Sequence, residues 1–102
     1  MSEINPLPGF PVPHPGELLK DELLPAVGLR PAEAARRLGV SRQLLDAILH
    51  ERSGISAEMA LRLSALFGNS PMHWLNMQAL YDLQRSQEQV AEAISRIEPI
   101  AT

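Results

Sequence analysis

The sequence predicts an all-α domain of five helices that ends in a long C-terminal helix. Only four of the 102 residues are aromatic, and β-branched residues are sparse beside leucine and alanine, a composition that favours helix over strand. Apolar residues also recur at helical spacing in successive segments, and residues that cap helices separate these segments. A chain of this length forms one domain and buries roughly 60–70% of its unfolded surface, which is enough for a modest core.

The first part of the chain combines a proline-rich arm with the first helix. Prolines at positions 6, 8, 11 and 13 exclude a helix over residues 1–13, which we expect to form an extended arm. The segment 14–17, HPGE, is typical of a helix start, and His14 is expected to cap the first helix or to pack against it. This helix is expected to end before Gly28.

Residues 31–49, PAEAARRLGVSRQLLDAIL, have the spacing of two helices joined by a tight turn. Ala35 is small enough for the helices to cross closely, and Gly39 can adopt the positive φ that such a turn needs. Ser41 is a good N-cap for the second of these helices. The apolar side that joins the two helices comprises Ala34, Leu38, Val40, Leu45 and Ile48. These residues at this spacing together predict a helix-turn-helix, and an ordinary helical hairpin is the alternative.

Two further helices follow. Ser56 is a predicted N-cap for a fourth helix that ends at Gly68, with an apolar face formed by Met59, Leu63 and Leu66. The pair Ser70-Pro71 is typical of the start of a fifth helix. If that helix continues to about Ser95, it is roughly 37 Å long at ~1.5 Å per residue. So small a body cannot cover such a helix along its whole length.

The fifth helix is expected to divide into a half-buried part and an exposed extension. Apolar residues between Trp74 and Leu83 favour packing on the domain, with Trp74 in the core, and the polar stretch 84–89, QRSQEQ, is expected to project into solvent. The apolar residues beyond it have nothing left in the chain to bury them, which indicates a partner chain. A frayed tail that folds back is the alternative. We therefore predict a homodimer interface at Leu80, Leu83, Val90, Ile94 and Ile97.

The chain is thus expected to comprise three parts. They are an extended arm (1–13), a helix-turn-helix DNA-binding domain (14–83), and a C-terminal helix extension and tail (84–102). The DNA-binding role follows from the motif, because a helix-turn-helix places its second helix in the major groove.

Side chains of that second helix that point away from the core are the candidate DNA contacts. Arg42 can bind the O6 and N7 atoms of guanine, Gln43 can bind the N6 and N7 atoms of adenine, and Leu44 can touch a thymine methyl group. Asp46 is expected to orient Arg42 through an i, i+4 pair, although that pair could equally be the only role of Arg42. The remaining candidates for contact with double-stranded DNA are Arg30, Ser41, His50 and Arg52, with Ser41 a helix cap first and a phosphate donor second.

The distribution of charge along the chain supports this interpretation. The net charge is −3, yet residues 30–62 carry six arginines against four carboxylates, and both flanks are negative. Contact with phosphates requires a local basic face, and the sign of the whole chain matters less. Arg36, Arg37 and Arg62, each taken alone, are expected to be solvated residues on helix faces.

Composition excludes several other classes of function. No cysteine is present, so a disulfide framework, a thiolate zinc site and a cysteine nucleophile are excluded. His14, His50 and His73 lie on separate predicted elements with no carboxylate at a ligand spacing, so we predict no metal, no cofactor and no enzyme. No apolar run approaches the ~20 residues of a membrane span, and a cytoplasmic protein is expected. A protein-interaction module that has lost DNA binding is a further alternative.

Five segments carry a family resemblance beyond the motif itself. They are HPGE (14–17), GISA (54–57), ALRL (60–63), FGNSP (67–71) and WLNMQ (74–78). Together with the motif they resemble the HigA-type antidote family of toxin–antitoxin modules, which belongs to the Cro/repressor-like helix-turn-helix domains. The resemblance implies a homodimer that binds its own operator and represses its operon. It also implies a partner, a small basic ribosome-dependent mRNA endonuclease, which the antidote neutralises. A free-standing helix-turn-helix transcriptional regulator with no toxin partner is the alternative.

Several positions depart from the usual pattern of that family. Relatives commonly begin the second helix with Ser or Thr followed by Gln, whereas this chain has Arg30-Pro31, and we expect Arg30 to substitute as a charged contact. The loop 50–53 is often basic in relatives, yet here Arg52 is its one firm cation. Leu44 stands where a polar contact is common. These departures predict weaker operator binding than the family pattern implies.

Overall fold

The computed structural model describes residues 9–101, which form five helices and no strand. The first helix, α1, is one helical segment over residues 15–26, in which a π-helical turn separates two short α-helical pieces. Its three parts are Pro15–Leu18, Leu19–Leu23 and Leu24–Ala26, and the other helices are α2 (Pro31–Leu38), α3 (Arg42–Leu49), α4 (Ala57–Phe67) and α5 (Pro71–Ser95). The predicted all-α class and the order of the five helices are confirmed.

α1 departs from regular α-helical geometry just before Pro25. The N–H of Leu24 donates to the carbonyl of Leu19, five residues back rather than four. In a regular helix the proline ring would press against the carbonyl four residues earlier, and the proline has no N–H to donate. The wider π turn accommodates both restrictions. The helix ends after Ala26, and Gly28 follows with φ 71°, as the sequence predicts.

The helices begin and end at the expected cap residues. α2 ends at Gly39, which has φ 72°, and the Oγ of Ser41 accepts from an N–H in the first turn of α3 at 3.0 Å. Ser56 and Ser70 cap α4 and α5 in the same way. These bonds satisfy N–H groups that a helix leaves unpaired at its start.

The core lies where the helices meet, and Trp74 is its largest fully buried side chain. The indole Nε1 donates to the Oδ1 of Asn69 at 2.8 Å, so the buried polar end of the ring has a partner. Trp74 is thus a core residue, as predicted. The other buried apolar residues are Leu19, Leu24, Ala34, Ala35, Leu38, Leu45, Ile48, Leu49, Ile55, Met59, Ala60 and Leu63.

α1 approaches the end of α3 most closely at Gly16. A Cβ at this position would lie 1.8 Å from the carbonyl oxygen of Ile48, so only glycine lets the two backbones come so near. His14 caps α1, because its Nδ1 accepts from the N–H of Gly16 at 2.9 Å. The same side chain is only 3% exposed. Both roles expected of His14, capping and packing, are therefore confirmed.

α5 is continuous over its 25 residues, and residues 85–101 are exposed. Gln84 differs from the exposure expected for the polar stretch, since it is half-buried and binds the arm. Its Nε2 donates to the carbonyl of Phe10 at 2.8 Å, and its Oε1 accepts from the N–H of Val12 at 2.6 Å. Residues 9–13 are non-helical, as expected of the arm, and are tied to α5. The predicted arm over residues 1–8 lies outside the described residues.

Candidate nucleic-acid interface

The exposed face of α3 lies mainly in its first turn. Leu45, Ile48 and Leu49 are buried, so one side of the helix is fixed against the core. The first turn presents Arg42, Gln43 and Leu44 to solvent. Leu44 is 42% exposed, a large apolar side chain that the domain itself does not cover.

Polar contacts run along α3 from Arg42 to His50. The Nε of Arg42 donates to the Oδ1 of Asp46 at 3.0 Å, and the Nδ1 of His50 lies 2.9 Å from the carbonyl oxygen of Asp46. The Arg42 side chain remains 50% exposed. An exposed i, i+4 pair stabilises a helix by only about 0.3–0.5 kcal/mol. Asp46 therefore orients Arg42 without sequestering it.

The chain leaves α3 through Glu51, which has φ 63° and is the one non-glycine residue among residues 9–101 with a positive φ. This left-handed conformation costs roughly 1–2 kcal/mol in a residue that has a Cβ. The N–H groups of Arg52 and Ser53 both donate to the carbonyl of Ala47, at 2.7 and 3.2 Å. The turn is thereby closed, and Arg52 is exposed on it.

α5 holds the loop that follows this turn. The Oε1 of Gln78 accepts from the N–H of Ile55 at 2.9 Å, and a Cβ at Gly54 would lie 3.0 Å from the Gln78 side chain. The Nε2 of Gln78 donates to the Oδ1 of Asp82 at 3.0 Å, which fixes the orientation of the amide. Sequence assigned Gln78 no role beyond the WLNMQ resemblance, because its loop partner lies 23 residues away.

Arg62 caps the C-terminal end of α2. Its Nη1 donates to the carbonyl oxygens of Leu38 and Gly39 at 2.9 and 3.4 Å, and its Nε and Nη2 donate to the Oε2 of Glu58 at 3.1 and 2.9 Å. The expectation that Arg62 is a solvated residue is therefore wrong. Its guanidinium joins α4 to the turn between α2 and α3 and satisfies carbonyls that the helix end leaves unpaired.

The other candidate residues lie at the surface, in separate places. Arg30 occupies the N-cap position of α2 and makes no side-chain cap bond. Arg36, paired with Glu33, and Arg37 are exposed on α2, as expected. The remaining candidates lie along α3. Ser41, Arg42, Gln43 and Leu44 are at its start, Asp46 is half-buried one turn further on, and His50 and Arg52 follow its end.

An apolar strip on α5 is uncovered. Its members are between 38% and 68% exposed and comprise Leu80, Leu83, Val90, Ile94 and Ile97, the last of which follows the helix end. At 100° per residue they lie on one side of the helix, and Gln78 and Tyr81 lie on the other. Exposed apolar side chains aligned along one side of a helix mark an interaction surface.

Residues 9–101 contain no group of three or more His, Cys, Asp or Glu side chains that could hold a metal ion. No helix in this part of the chain is long and apolar enough to cross a membrane. Every buried side-chain nitrogen or oxygen here has a hydrogen-bond partner, so no unsatisfied polar group marks a hidden ligand site.

Comparison with known proteins places this geometry in a family. The pattern of the family described as Helix-turn-helix matches residues 19–75, more than half of the chain. Virulence-associated protein I of Dichelobacter nodosus is 42% identical over 93 residues, which cover 91% of this chain and 85% of that protein.

Two solved structures share both fold and sequence. The Pseudomonas aeruginosa antitoxin HigA with the higBA promoter is 40% identical, with a TM-score of 0.83, and the match covers 88% of this chain and 99% of that one. The antitoxin GraA in complex with its operator is 37% identical, with a TM-score of 0.84, over 96% and 100% of the two chains. The chain belongs to the helix-turn-helix family, in its HigA-type branch. In this helix-turn-helix protein α2 and α3 are the two helices of the motif.

Replacement of Arg62 by alanine is expected to lower the free energy of unfolding by about 1–3 kcal/mol, because carbonyls at the end of α2 lose a charged donor. Urea unfolding followed by circular dichroism measures this change. The matched control is Arg36→Ala, which removes an exposed pair and should cost no more than about 1 kcal/mol. Equal losses in the two variants would contradict the capping role.

Proposed function

We propose that the chain is a DNA-binding antidote of the cytoplasm. As a homodimer it binds an operator and represses its own operon, and it neutralises a cognate mRNA-cleaving toxin. The DNA-binding part depends on one observation, the exposed first turn of α3 on a helix whose other side is fixed in the core. A recognition helix needs this arrangement. The antidote part is supported by the similarity to antitoxins HigA and GraA over nearly their whole lengths. Catalysis has no part in this proposal.

Base reading is assigned to Arg42 and Gln43. Asp46 holds Arg42 from one side through Nε, which leaves the outer edge of the guanidinium for the O6 and N7 of guanine. Gln43 has the matching amide geometry for adenine. The exposed Leu44 suits the methyl group of thymine, which is an apolar contact that costs no unsatisfied polar group.

Phosphate contact is assigned to residues that lie before and after the base-reading residues of α3. Arg30 and Ser41 lie at the starts of α2 and α3, and His50 and Arg52 follow the end of α3. The helix between them has 8 residues and is about 12 Å long. Contacts at both ends hold a recognition helix in register with the base pairs, without themselves reading sequence.

The dimer is assigned to the exposed strip on α5. A helix-turn-helix dimer meets two half-sites at once, which places its recognition helices about 34–36 Å apart. The strip is an apolar surface that includes no residue of α3, so in the proposed dimer pairing there leaves both recognition helices accessible. Two weak half-site contacts then act together, because binding of the first half-site raises the effective concentration of the second.

Operator binding is expected to depend on both salt and sequence. With about four to six phosphate contacts, log K should fall against log salt with a slope of about −4 to −5. Arg42→Ala should cost about 1–3 kcal/mol and relax specificity at one base position of each half-site. Arg52→Ala should weaken binding to all sequences alike and reduce the slope. Fluorescence anisotropy on palindromic and scrambled duplexes measures these effects. Salt-independent binding without sequence preference would refute operator recognition and leave a protein-interaction module.

The double substitution Val90→Ser with Ile94→Ser is expected to shift the dimer towards monomer and to weaken operator binding in the same variant, because linked half-site contacts are lost. Sedimentation equilibrium measures the first effect. The control is Gln89→Ser with Ala93→Ser, on exposed positions outside the strip, which should change neither property. A dimer of undiminished stability would move the interface to α1 or to another face of the domain.

The antidote role predicts a small basic protein encoded beside this chain. Co-expression of the two, with a tag on this chain, should yield a complex on affinity purification, and the chain should block mRNA cleavage by its partner. An acidic chain of net charge −3 is suited to occupy basic surface that otherwise binds RNA. Absence of such a neighbour, with intact operator binding, would favour a free-standing transcriptional regulator.

A further inference from the structure

His14 lies where three elements of the fold meet. A cleft of about 400 Å³ separates the start of α1, the loop after α3 and one side of α5. The imidazole forms part of the cleft wall and is 3% exposed. Its ring packs edge-on against Tyr81 of α5, with 4.9 Å between ring centroids and an interplanar angle of 81°.

The His14 ring has polar neighbours on two sides. Nδ1 accepts from the N–H of Gly16 at 2.9 Å, and the backbone of Ser53 lies close enough to the ring to favour its protonated form. A neutral imidazole has one donor and one acceptor. Since Nδ1 accepts, Nε2 carries the proton and is the donor available to the Ser53 carbonyl. His14 therefore lies between the first turn of α1 and the loop after α3, with both in the wall of one cleft.

The loop that His14 holds is the one that carries Arg52. Within residues 9–101 the Arg52 guanidinium forms no hydrogen bond or ion pair with another side chain, so its location depends on the loop backbone. Glu51 holds that backbone in a left-handed conformation that carries a cost. The N–H bonds of Arg52 and Ser53 to Ala47 close the turn, and two side chains from other elements adjoin the loop: Gln78, which binds Ile55, and His14, which lies beside the Ser53 backbone.

We propose that His14 is a positioning residue for operator contact, and that its neutral imidazole holds the loop 51–54 so that Arg52 meets the DNA backbone. The inference rests on the proposed operator binding and adds to it a residue that does not touch DNA. A histidine with only a structural role would stabilise the domain without being coupled to Arg52.

The charges around His14 make this role sensitive to pH. Burial lowers the pKa of His14 below its ordinary 6.5, and the carboxylates of Glu51, Asp82 and Glu17, with the Ser53 carbonyl, act in the opposite direction. The cleft and its neighbour are also lined by Arg52, Arg85 and Glu88. Protonation removes the acceptor that caps Gly16. Because the folded-state pKa lies below the unfolded one, stability from neutral His14 is complete above about pH 6.5 and declines as pH falls towards the folded-state pKa.

A double-mutant cycle on operator binding tests the proposal. His14→Asn keeps a side-chain acceptor for the Gly16 N–H but is too short to reach Ser53. We expect it to weaken binding about three- to tenfold, as loss of the Arg52 phosphate contact would, and to have little further effect in the Arg52→Ala background. Independent, multiplicative losses, or unchanged affinity in His14→Asn, would overturn the proposal. His73→Asn, at an exposed histidine of α5, is the matched control and should bind like the wild type.

A second substitution at His14, to a residue with a longer amide side chain, completes the test. His14→Gln can supply both an acceptor and a donor, and it should recover most of the affinity that His14→Asn loses. If His14→Asn fails to fold by circular dichroism, His14→Gln completes the cycle with Arg52→Ala, and a non-additive loss is again the supporting result. Wild-type protein that binds no operator would refute the proposed function itself, a result distinct from additivity in a protein that binds.

The pH dependence of operator affinity provides a further test, because a histidine with a purely structural role would not produce it. In a His50→Asn background, which removes the other histidine beside the loop, affinity should fall as pH drops from about 7.5 to about 5.5. Adding His14→Gln should flatten this profile. A profile that is unchanged by His14→Gln would overturn the assignment of His14 as the titrating positioning residue.

Discussion

The close approach of α1 to the end of α3 is the constraint on which the rest of the structure depends. Gly16 leaves room for the carbonyl of Ile48, so α3 is held at its C-terminal end as well as by its buried apolar side. Once that side is fixed in the core, the opposite side must face solvent. The exposure of Arg42 and Gln43 therefore follows from packing, and not from any property of those two side chains.

Sequence predicts the features that are decided within a few residues. The cap at Ser41 and the left-handed turn at Gly39 depend on neighbours three or four positions away, so residue type and spacing are sufficient. Contacts between distant segments were missed. Arg62 binds a carbonyl 24 residues away and Gln84 binds an N–H 72 residues away, and nothing in the QRSQEQ stretch distinguishes Gln84 from its polar neighbours. The surface positions of the candidate DNA contacts were predictable from helical periodicity, whereas the Gln78 bond to the loop and the position of His14 beside it were not.

Ion pairs within the chain reduce the basic character that the sequence implies. Of the six arginines in residues 30–62, three pair with carboxylates. Exposed pairs contribute about 0–1 kcal/mol each, so a phosphate or a base can take over the guanidinium of Arg42 at small cost. Arg62 differs because it also binds the carbonyls that end α2. It remains a structural residue, and the cations available to DNA are fewer than the local charge of the segment implies.

α5 has different partners on its two sides. One side binds the loop through Gln78 and packs Tyr81 on His14, while the other carries the strip assigned to the partner chain. Gln84, at the boundary between the two sides, holds the arm. In the proposed dimer a single continuous helix therefore connects the interface to the DNA-contact loop. Linked half-site binding gains affinity only when the spacing of the two recognition helices matches the DNA. Because α5 sets that spacing, loosening its contact with the loop should affect operator binding more than it affects stability.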